Sequence, residues 1–363
     1  MSEKKKKGTP LWQISKKFNF AAEKIIPDSF VFCVVLTLVV AVLSLVVCHI
    51  SPINLLSSWW DGLSSQFTLA FQMGLMVVVC ATCARSPQVS KLLDGLAGLV
   101  HTRVAALILL MAFGYVSSML NWAFCTIVTP ILAMQLAKRV KGLHFPLMVA
   151  GGYCCMILGQ CLGPSATLYS NLATEGSNYA EIVGQTMTVA ETCYNPVNVV
   201  LWVILAVCFI VLVLFTQPGD DELVELRNIA TQADVAPKDY QSREKATTPA
   251  EKMNTCKPIM WIVGAAIFIY IIYSIATKGF FATLNMNMVI FMFVGINCFL
   301  FPQPHSWMEA HTDSMHLATD VILQFPFYGA IMGMMYVEGG LGSVIVNAIV
   351  SVATAQTMPV FSF

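Results

Sequence analysis

The sequence predicts an all-α protein that crosses a lipid bilayer several times. Of its 363 residues, 57% are hydrophobic and 11% are charged, whereas a soluble domain carries roughly a quarter charged residues. Residues 1–29 and 217–257 contain 24 of the 40 charges. Most of the remaining chain consists of apolar runs of roughly 20 residues, the length of a membrane-spanning helix. The net charge is zero, which excludes nucleic acid as a partner because such binding needs a basic surface.

The lysine-rich residues 1–29 precede the first apolar run, at residues 30–50. This run is longer than the hydrophobic region of a signal peptide, and no A-x-A-like cleavage site follows it. Because lysine and arginine favour the cytoplasmic side, we predict a cytoplasmic N-terminal segment and a retained first span.

Seven apolar runs are predicted as membrane spans because their interiors are essentially uncharged. They are residues 30–50, 64–84, 145–163, 194–216, 258–277, 285–301 and 319–338. The polar residues 217–257 are predicted to form a cytoplasmic linker. Residues 30–216 then form a first membrane repeat, and residues 258–363 form a connecting span and an incomplete second repeat.

Residues 104–137 form an apolar segment that is interrupted by polar residues near Asn121. Basic residues flank both ends, which places both flanks in the cytoplasm. The segment therefore enters and returns, either as two short spans or as a re-entrant hairpin. We favour the hairpin, with its tip near Asn121, because an irregular polar turn is tolerated at membrane depth where it lines a cavity.

Similar sequences around Gln72 and Gln324 indicate an internal repeat. A proline and a tryptophan precede each glutamine, and a Gly-Leu pair follows each. One unmatched span separates the copies, so they are predicted to run in opposite directions, an arrangement typical of secondary transporters. The glutamines are 252 residues apart. The counterpart of Asn121 would thus fall beyond Phe363, and we expect a C-terminally truncated chain.

Candidate substrate and ion ligands lie at two predicted helix breaks and at the repeated glutamines. They are Ser118, Asn121 and Thr126 in the hairpin, Gly163, Ser165 and Thr167 in the break after residue 159, and Gln72 and Gln324. Broken helices present backbone amides to anions and carbonyls to cations. The alternative is structural: small residues allow close packing, serine and threonine bond to their own helix, and the glutamines tie helices together.

The sequence predicts no metal site and no cofactor. The 12 cysteines lie mostly in apolar runs, where a free thiol packs as a small hydrophobic group. No acid or base is predicted at mid-membrane depth. This absence favours Na⁺ over H⁺ as a coupling ion, because a proton relay needs such a group.

The sequence resembles the short-chain fatty acid transporter family, the bacterial acetoacetate and butyrate uptake type. The resemblance rests on seven motifs spread along the chain. They are Pro27-Asp28, Trp60-Asp61-Gly62, Gln72-Met73, Asn121-Trp122, Phe145-Pro146-Leu147, the run Q-F-P-F-Y from Gln324 to Tyr328, and Gly340-Leu341-Gly342. The family's second hairpin tip, rich in serine and glycine, is absent from this sequence.

This resemblance implies uptake of a short-chain monocarboxylate across the bacterial inner membrane by cation symport. It also implies that the hairpin residues named above form the first tip, and related carriers suggest a homodimer. Two alternatives stay open: a carrier for another organic anion, such as a dicarboxylate or sugar acid, and a non-functional truncated fragment. An intramembrane enzyme is disfavoured because the spans contain no nucleophile paired with a general base.

Overall fold

The computed structural model describes residues 8–163, 169, 172–173, 180, 183–228, 238–240 and 247–352, and their secondary structure is helical, without strands. This confirms the all-α prediction. The first eight helices are α1 Pro10–Ile25, α2 Ser29–Val46, α3 Pro52–Ser65, α4 Phe67–Ala84, α5 Pro87–Ala97, α6 Arg103–Leu120, α7 Trp122–Arg139 and α8 Phe145–Gly159. They are followed by α9 Val189–Thr192, α10 Pro196–Phe215, α11 Pro249–Asn254, α12 Lys257–Lys278, α13 Phe280–Thr283, α14 Met286–Leu300, α15 Pro304–Thr312, α16 Thr319–Tyr336 and α17 Leu341–Val352.

Seven helical segments in this described part are long and apolar enough to cross a membrane. Six of them correspond to predicted spans, and the seventh is α6. The remaining predicted span, residues 285–301, is α14, a shorter apolar helix of 15 residues. The prediction of a polytopic membrane protein is therefore confirmed.

The chain divides into two compact units. The first consists of the described residues of Met1–Phe18 and Leu75–Leu317, and the second of those of Asn19–Gly74 and Ala318–Phe363. The core of the first unit lies between α5, α6, α7, α8 and α10. Its largest fully buried side chains include Leu110, Met111, Leu132, Leu136 and Met148.

Helices α6 and α7 form a hairpin that turns at Asn121. Each helix has 18 residues, and extended backbone at Asn121 caps both of them. Across the hairpin, the Cys125 thiol donates to the Gly114 carbonyl at 3.2 Å. The predicted turn near Asn121 is therefore present. Each helix is about 27 Å long, close to the hydrocarbon thickness of a bilayer. This length fits both two short spans and a re-entrant hairpin, so re-entry stays a prediction.

In the second unit, α3 and α16 approach each other at the backbone. A β-carbon on Gly62 would overlap the carbonyl oxygen of Gly329. One on Gly333 would lie 2.9 Å from the Cα of Gly62. Small residues spaced four apart on a helix permit such contact between membrane helices.

The order of helices is compatible with the predicted internal repeat. Helices α4 and α16 both have 18 residues, and their first residues, Phe67 and Thr319, are separated by the same 252 positions as the two glutamines. A helix that begins with proline precedes each, and a helix of 11 or 12 residues follows each. The opposite orientation of the copies stays a prediction.

The start of the predicted linker is attached to the first unit. We call residues 217–228 the strap. The Gln217 carbonyl accepts from the Thr9 amide at 3.1 Å, and the Val224 carbonyl accepts from the Phe145 amide at 2.9 Å. The amide of Val224 in turn donates to Nδ1 of His144 at 3.1 Å. The strap thus lies across the start of α8.

Candidate functional site

Asn121 is fully buried at the tip of the hairpin. Its Oδ1 accepts from the amides of Ala123 at 2.8 Å and Phe124 at 3.1 Å. Two of the N–H groups that a helix leaves unpaired in its first turn are therefore satisfied. On α4, the Met76 sulfur accepts from Nδ2 at 3.1 Å, and the Cys80 thiol donates to Oδ1 at 3.5 Å. Asn121 thus both caps α7 and joins the hairpin to α4.

Trp122, the first residue of α7, carries a buried indole N–H. Its indole Nε1 is shielded from solvent and has no acceptor among the described residues. An unsatisfied buried donor costs about 1–3 kcal/mol. The N-terminus of α7 also carries the positive end of the helix dipole. The indole N–H at this end of the hairpin can therefore donate to a negatively charged group.

Pro130 interrupts the hydrogen bonding of α7. Proline has no N–H, so the carbonyl of Thr126, four residues earlier, loses its usual helical donor. The hydroxyl of Thr126 donates to the Ala123 carbonyl at 2.7 Å, within its own helix. The Thr126 hydroxyl therefore bonds within its own helix, as the structural alternative proposes. The carbonyl oxygen of Thr126, by contrast, is of the type that coordinates alkali cations.

Ser118 and Gly163 lie close together, as expected if the two predicted breaks meet. The Ser118 hydroxyl donates to the Met156 carbonyl at 2.9 Å. A β-carbon on Gly163 would stand 3.1 Å from the Ser118 carbonyl oxygen. One on Gly159 would stand 2.8 Å from the Ser118 hydroxyl oxygen. The end of α8 therefore packs directly against the hairpin tip. Ser165 and Thr167 lie outside the described residues.

Several carbonyl groups at the end of α8 are already engaged. Asn198 Nδ2 donates to the Cys161 carbonyl at 2.9 Å, and Trp202 Nε1 donates to the Leu158 carbonyl at 2.8 Å. Gln160 accepts from the Gly163 amide at 2.9 Å. These described carbonyls serve to hold α8 to α10 and to close its last turn, which leaves the α7 end as the better candidate site.

Gln72 and Gln324 are half-buried and belong to the second unit. Gln324 Nε2 donates to the Ser29 hydroxyl at 2.9 Å, and its Oε1 accepts from the Tyr328 hydroxyl at 3.1 Å. Gln324 thus ties α16 to the start of α2, which agrees with the structural alternative for this residue.

Asn297 is a further polar residue in the first unit that sequence reasoning missed. It is fully buried on α14, and its Nδ2 donates to the Val79 carbonyl of α4 at 2.8 Å. Its Oδ1 has no donor among the described residues. One turn earlier, the ring of Phe293 lies 5.5 Å from that of Phe124. The only sequence signal was the position of Asn297 in the middle of apolar residues.

The sequence profile of the short chain fatty acid transporter family matches residues 11–363. The chain belongs to this family. It is similar to two proteins provisionally named short-chain fatty acid transporters. The one from Escherichia coli K12 is 28% identical over 353 residues, which cover 97% of this chain and 78% of the relative. The one from Haemophilus influenzae Rd is 26% identical over 360 residues, with the same coverage. No solved structure matches the chain.

As a member of the short-chain fatty acid transporter family with apolar helices of spanning length, the chain is a multi-pass membrane transporter and not an enzyme. The alternative of an intramembrane enzyme is thereby excluded. In this family member the hairpin tip combines a capped helix N-terminus, a buried indole donor and a neighbouring α8 end.

Proposed function

We propose that this chain imports short-chain monocarboxylates, such as butyrate or acetoacetate, across the inner membrane together with a cation. The observation that carries the proposal is the buried Trp122 Nε1 at the N-terminus of α7, which has no acceptor among the described residues. A substrate carboxylate would accept from this indole and lie at the positive end of the helix dipole. The N-terminus of the chain would be cytoplasmic, in keeping with its lysines.

A single negative charge fits this site better than two. The interiors of α6, α7, α8 and α14 contain no lysine or arginine. A second carboxylate would need another positive group to offset its desolvation. The rings of Phe124 and Phe293 offer apolar surface on which a short alkyl chain can pack.

Coupling to a cation such as Na⁺ is supported by the backbone of α7. The Thr126 carbonyl, freed by Pro130, provides an oxygen ligand. The same four helices contain no aspartate or glutamate, and a proton relay at membrane depth normally uses one. Proton coupling is the alternative, and the ion gradient that drives uptake separates the two.

The proposal is tested by uptake of labelled butyrate into proteoliposomes that contain the full chain. Trp122→Phe removes the indole donor and keeps an aromatic ring. We expect the KM for butyrate to rise about 10- to 100-fold, the effect of losing one hydrogen bond to a charged group. Trp261→Phe is the matched control, because Trp261 lies exposed on α12. An unchanged KM in the Trp122 variant would exclude this site.

The same vesicles distinguish the substrate and coupling alternatives. Unlabelled butyrate should compete with uptake, whereas succinate and gluconate should not. A Na⁺ gradient should drive accumulation at constant pH. Competition by succinate would favour a dicarboxylate carrier, and accumulation driven only by a pH gradient would favour H⁺. No uptake under any gradient would support the non-functional fragment.

A further inference from the structure

The helix α1 carries an apolar stripe along its whole length. Leu11, Ile14, Phe18 and Ile25 are spaced three, four and seven residues apart, which places them on one face of a helix. Their exposed fractions are 38%, 52%, 74% and 76%. No residue of α1 is fully buried. We call these four residues the α1 stripe.

The first two turns of α1 are attached to the protein on the side opposite the stripe. Trp12 Nε1 donates to one carboxylate oxygen of Glu222, and Lys16 pairs with the other. The ring of Trp12 also meets that of His144 edge-on, with centroids 4.9 Å apart. At 100° per residue, Trp12 and Lys16 project away from the stripe. The stripe therefore does not serve to dock α1 on the strap.

The position of α1 in the chain brings it to the membrane surface. It ends at Ile25, and the membrane-spanning α2 begins at Ser29. Four residue steps reach at most about 14 Å when fully extended. The end of α1 thus lies within that distance of the start of a span, beside the lipid headgroups.

The charges that flank the α1 stripe are suited to an anionic lipid surface. Lys17 and Lys24 lie between the stripe and the attached face, and Lys24 Nζ stands 4.4 Å from the ring centre of Phe20. Lysine beside an amphipathic stripe places its charge at the headgroup level. Each lysine near an anionic leaflet strengthens binding about fivefold.

We propose that α1 is an interfacial helix that binds an anionic lipid surface. Its stripe enters the boundary between headgroups and acyl chains, and its opposite face holds the strap through Trp12 and Lys16. The partner is the lipid surface itself. The proposal is independent of the substrate and of the coupling ion, because it depends on none of the residues at the hairpin tip.

Hydrogen exchange of the full chain in lipid nanodiscs tests this proposal. Discs of phosphatidylcholine alone are compared with discs that contain phosphatidylglycerol. We expect the amides of α1 to exchange several-fold more slowly in the anionic discs. In those discs the double variant Phe18→Ser with Ile25→Ser should exchange about tenfold faster than wild type, because the apolar contact with lipid is lost. Amides of α6 and α7 in the same sample report whether the fold is kept.

Two further variants separate charge from apolar contact and keep the test decisive if the double variant unfolds. Lys17→Gln with Lys24→Gln should accelerate α1 exchange in the anionic discs and leave it unchanged in neutral discs. Asn19→Ser, on the polar face, is the matched control and should behave as wild type. Equal protection of wild-type α1 in both kinds of disc would overturn the proposal. Protection that appears only with two chains per disc would also overturn it, because the stripe would then contact a second copy of the chain and not lipid.

Discussion

At the scale of single residues, Asn121 has two roles at the hairpin tip: it caps α7, and its side-chain amide contacts Met76 and Cys80 of α4. Asn121 was predicted because a polar residue in an apolar segment needs an explanation. Its neighbours Met76 and Cys80 were not, because each is an ordinary member of an apolar run 40 or more positions away. The indole of Trp122 has no acceptor in the described part of the chain. The sequence could not indicate this, since only packing determines whether a donor finds an acceptor.

Substitutions at Asn121 should separate folding from transport. Serine also caps a helix well, so Asn121→Ser should retain most of the stability, whereas Asn121→Ala should lose about 1 kcal/mol. Both remove the amide Nδ2. We expect butyrate uptake to fall at least tenfold in both variants, as measured in proteoliposomes alongside thermal unfolding in detergent. A serine variant with wild-type KM would restrict Asn121 to capping.

His144 should make the attachment of the strap sensitive to pH. Burial lowers the pKa of His144 below its usual value of about 6.5, and the nearby Glu222 partly opposes this. The neutral ring accepts from the Val224 amide, and protonation at Nδ1 removes that acceptor. The folded-state pKa of His144 is depressed. The stability that its contact with Val224 gives to the strap is therefore complete above about pH 6.5 and is lost as the pH falls below that value.

Hydrogen exchange of the strap, corrected for intrinsic rates, checks this expectation. Amides of residues 222–228 should open more readily at pH 5.5 than at pH 7.5. The variant His144→Gln should lose this difference, because glutamine does not titrate. Greater protection at the acidic pH would contradict the assigned direction.

At the scale of elements, length and hydropathy predicted the spans well because a bilayer imposes both. The predicted span 194–216 is α10, Pro196–Phe215, and the predicted span 258–277 is α12, Lys257–Lys278. Sequence reasoning missed that the run at 64–84 is preceded by the separate helix α3, with a break at Gln66. The Gln66 side chain at this break lies against Gly329 of α16, a contact that no local pattern encodes.

The close packing of α3 and α16 should be sensitive to a single methyl group. A β-carbon at Gly329 would meet the Gly62 carbonyl and the Gln66 side chain. Gly329→Ala is therefore expected to cost about 1–3 kcal/mol by overpacking. Gly95→Ala is the matched control, because it has open space around it and lies in α5, where alanine is neutral or stabilising. Thermal unfolding of both variants measures the effect. If Gly329→Ala were as stable as Gly95→Ala, the close contact would be refuted.

At the scale of the whole molecule, the internal repeat stays a prediction that rests on the order of the segments along the chain. The equal lengths of α4 and α16 and their constant separation agree with the two glutamines that first indicated it. The orientation of the two copies in the membrane is predicted from lysine and arginine in the loops, and residues 302–318 contain neither.

Reporter fusions should reveal whether the two copies run in opposite directions. Alkaline phosphatase is active only outside the cytoplasm. A fusion after Gly98, in a segment rich in basic residues, should be inactive, and one after Gly339, beyond α16, should be active. Green fluorescent protein at the same positions provides the reciprocal control. Activity of the same kind at both positions would show that the copies are parallel.

The contact of Gly62 with Gly329 and Gly333 also limits how the protein can rearrange. No side chain or lipid fits between α3 and α16 where these glycines meet, so neither helix can tilt there without separating backbone from backbone. Whatever displacement accompanies passage of a solute, these two helices are expected to travel as one rigid block, and the bending must occur at other joints in the chain.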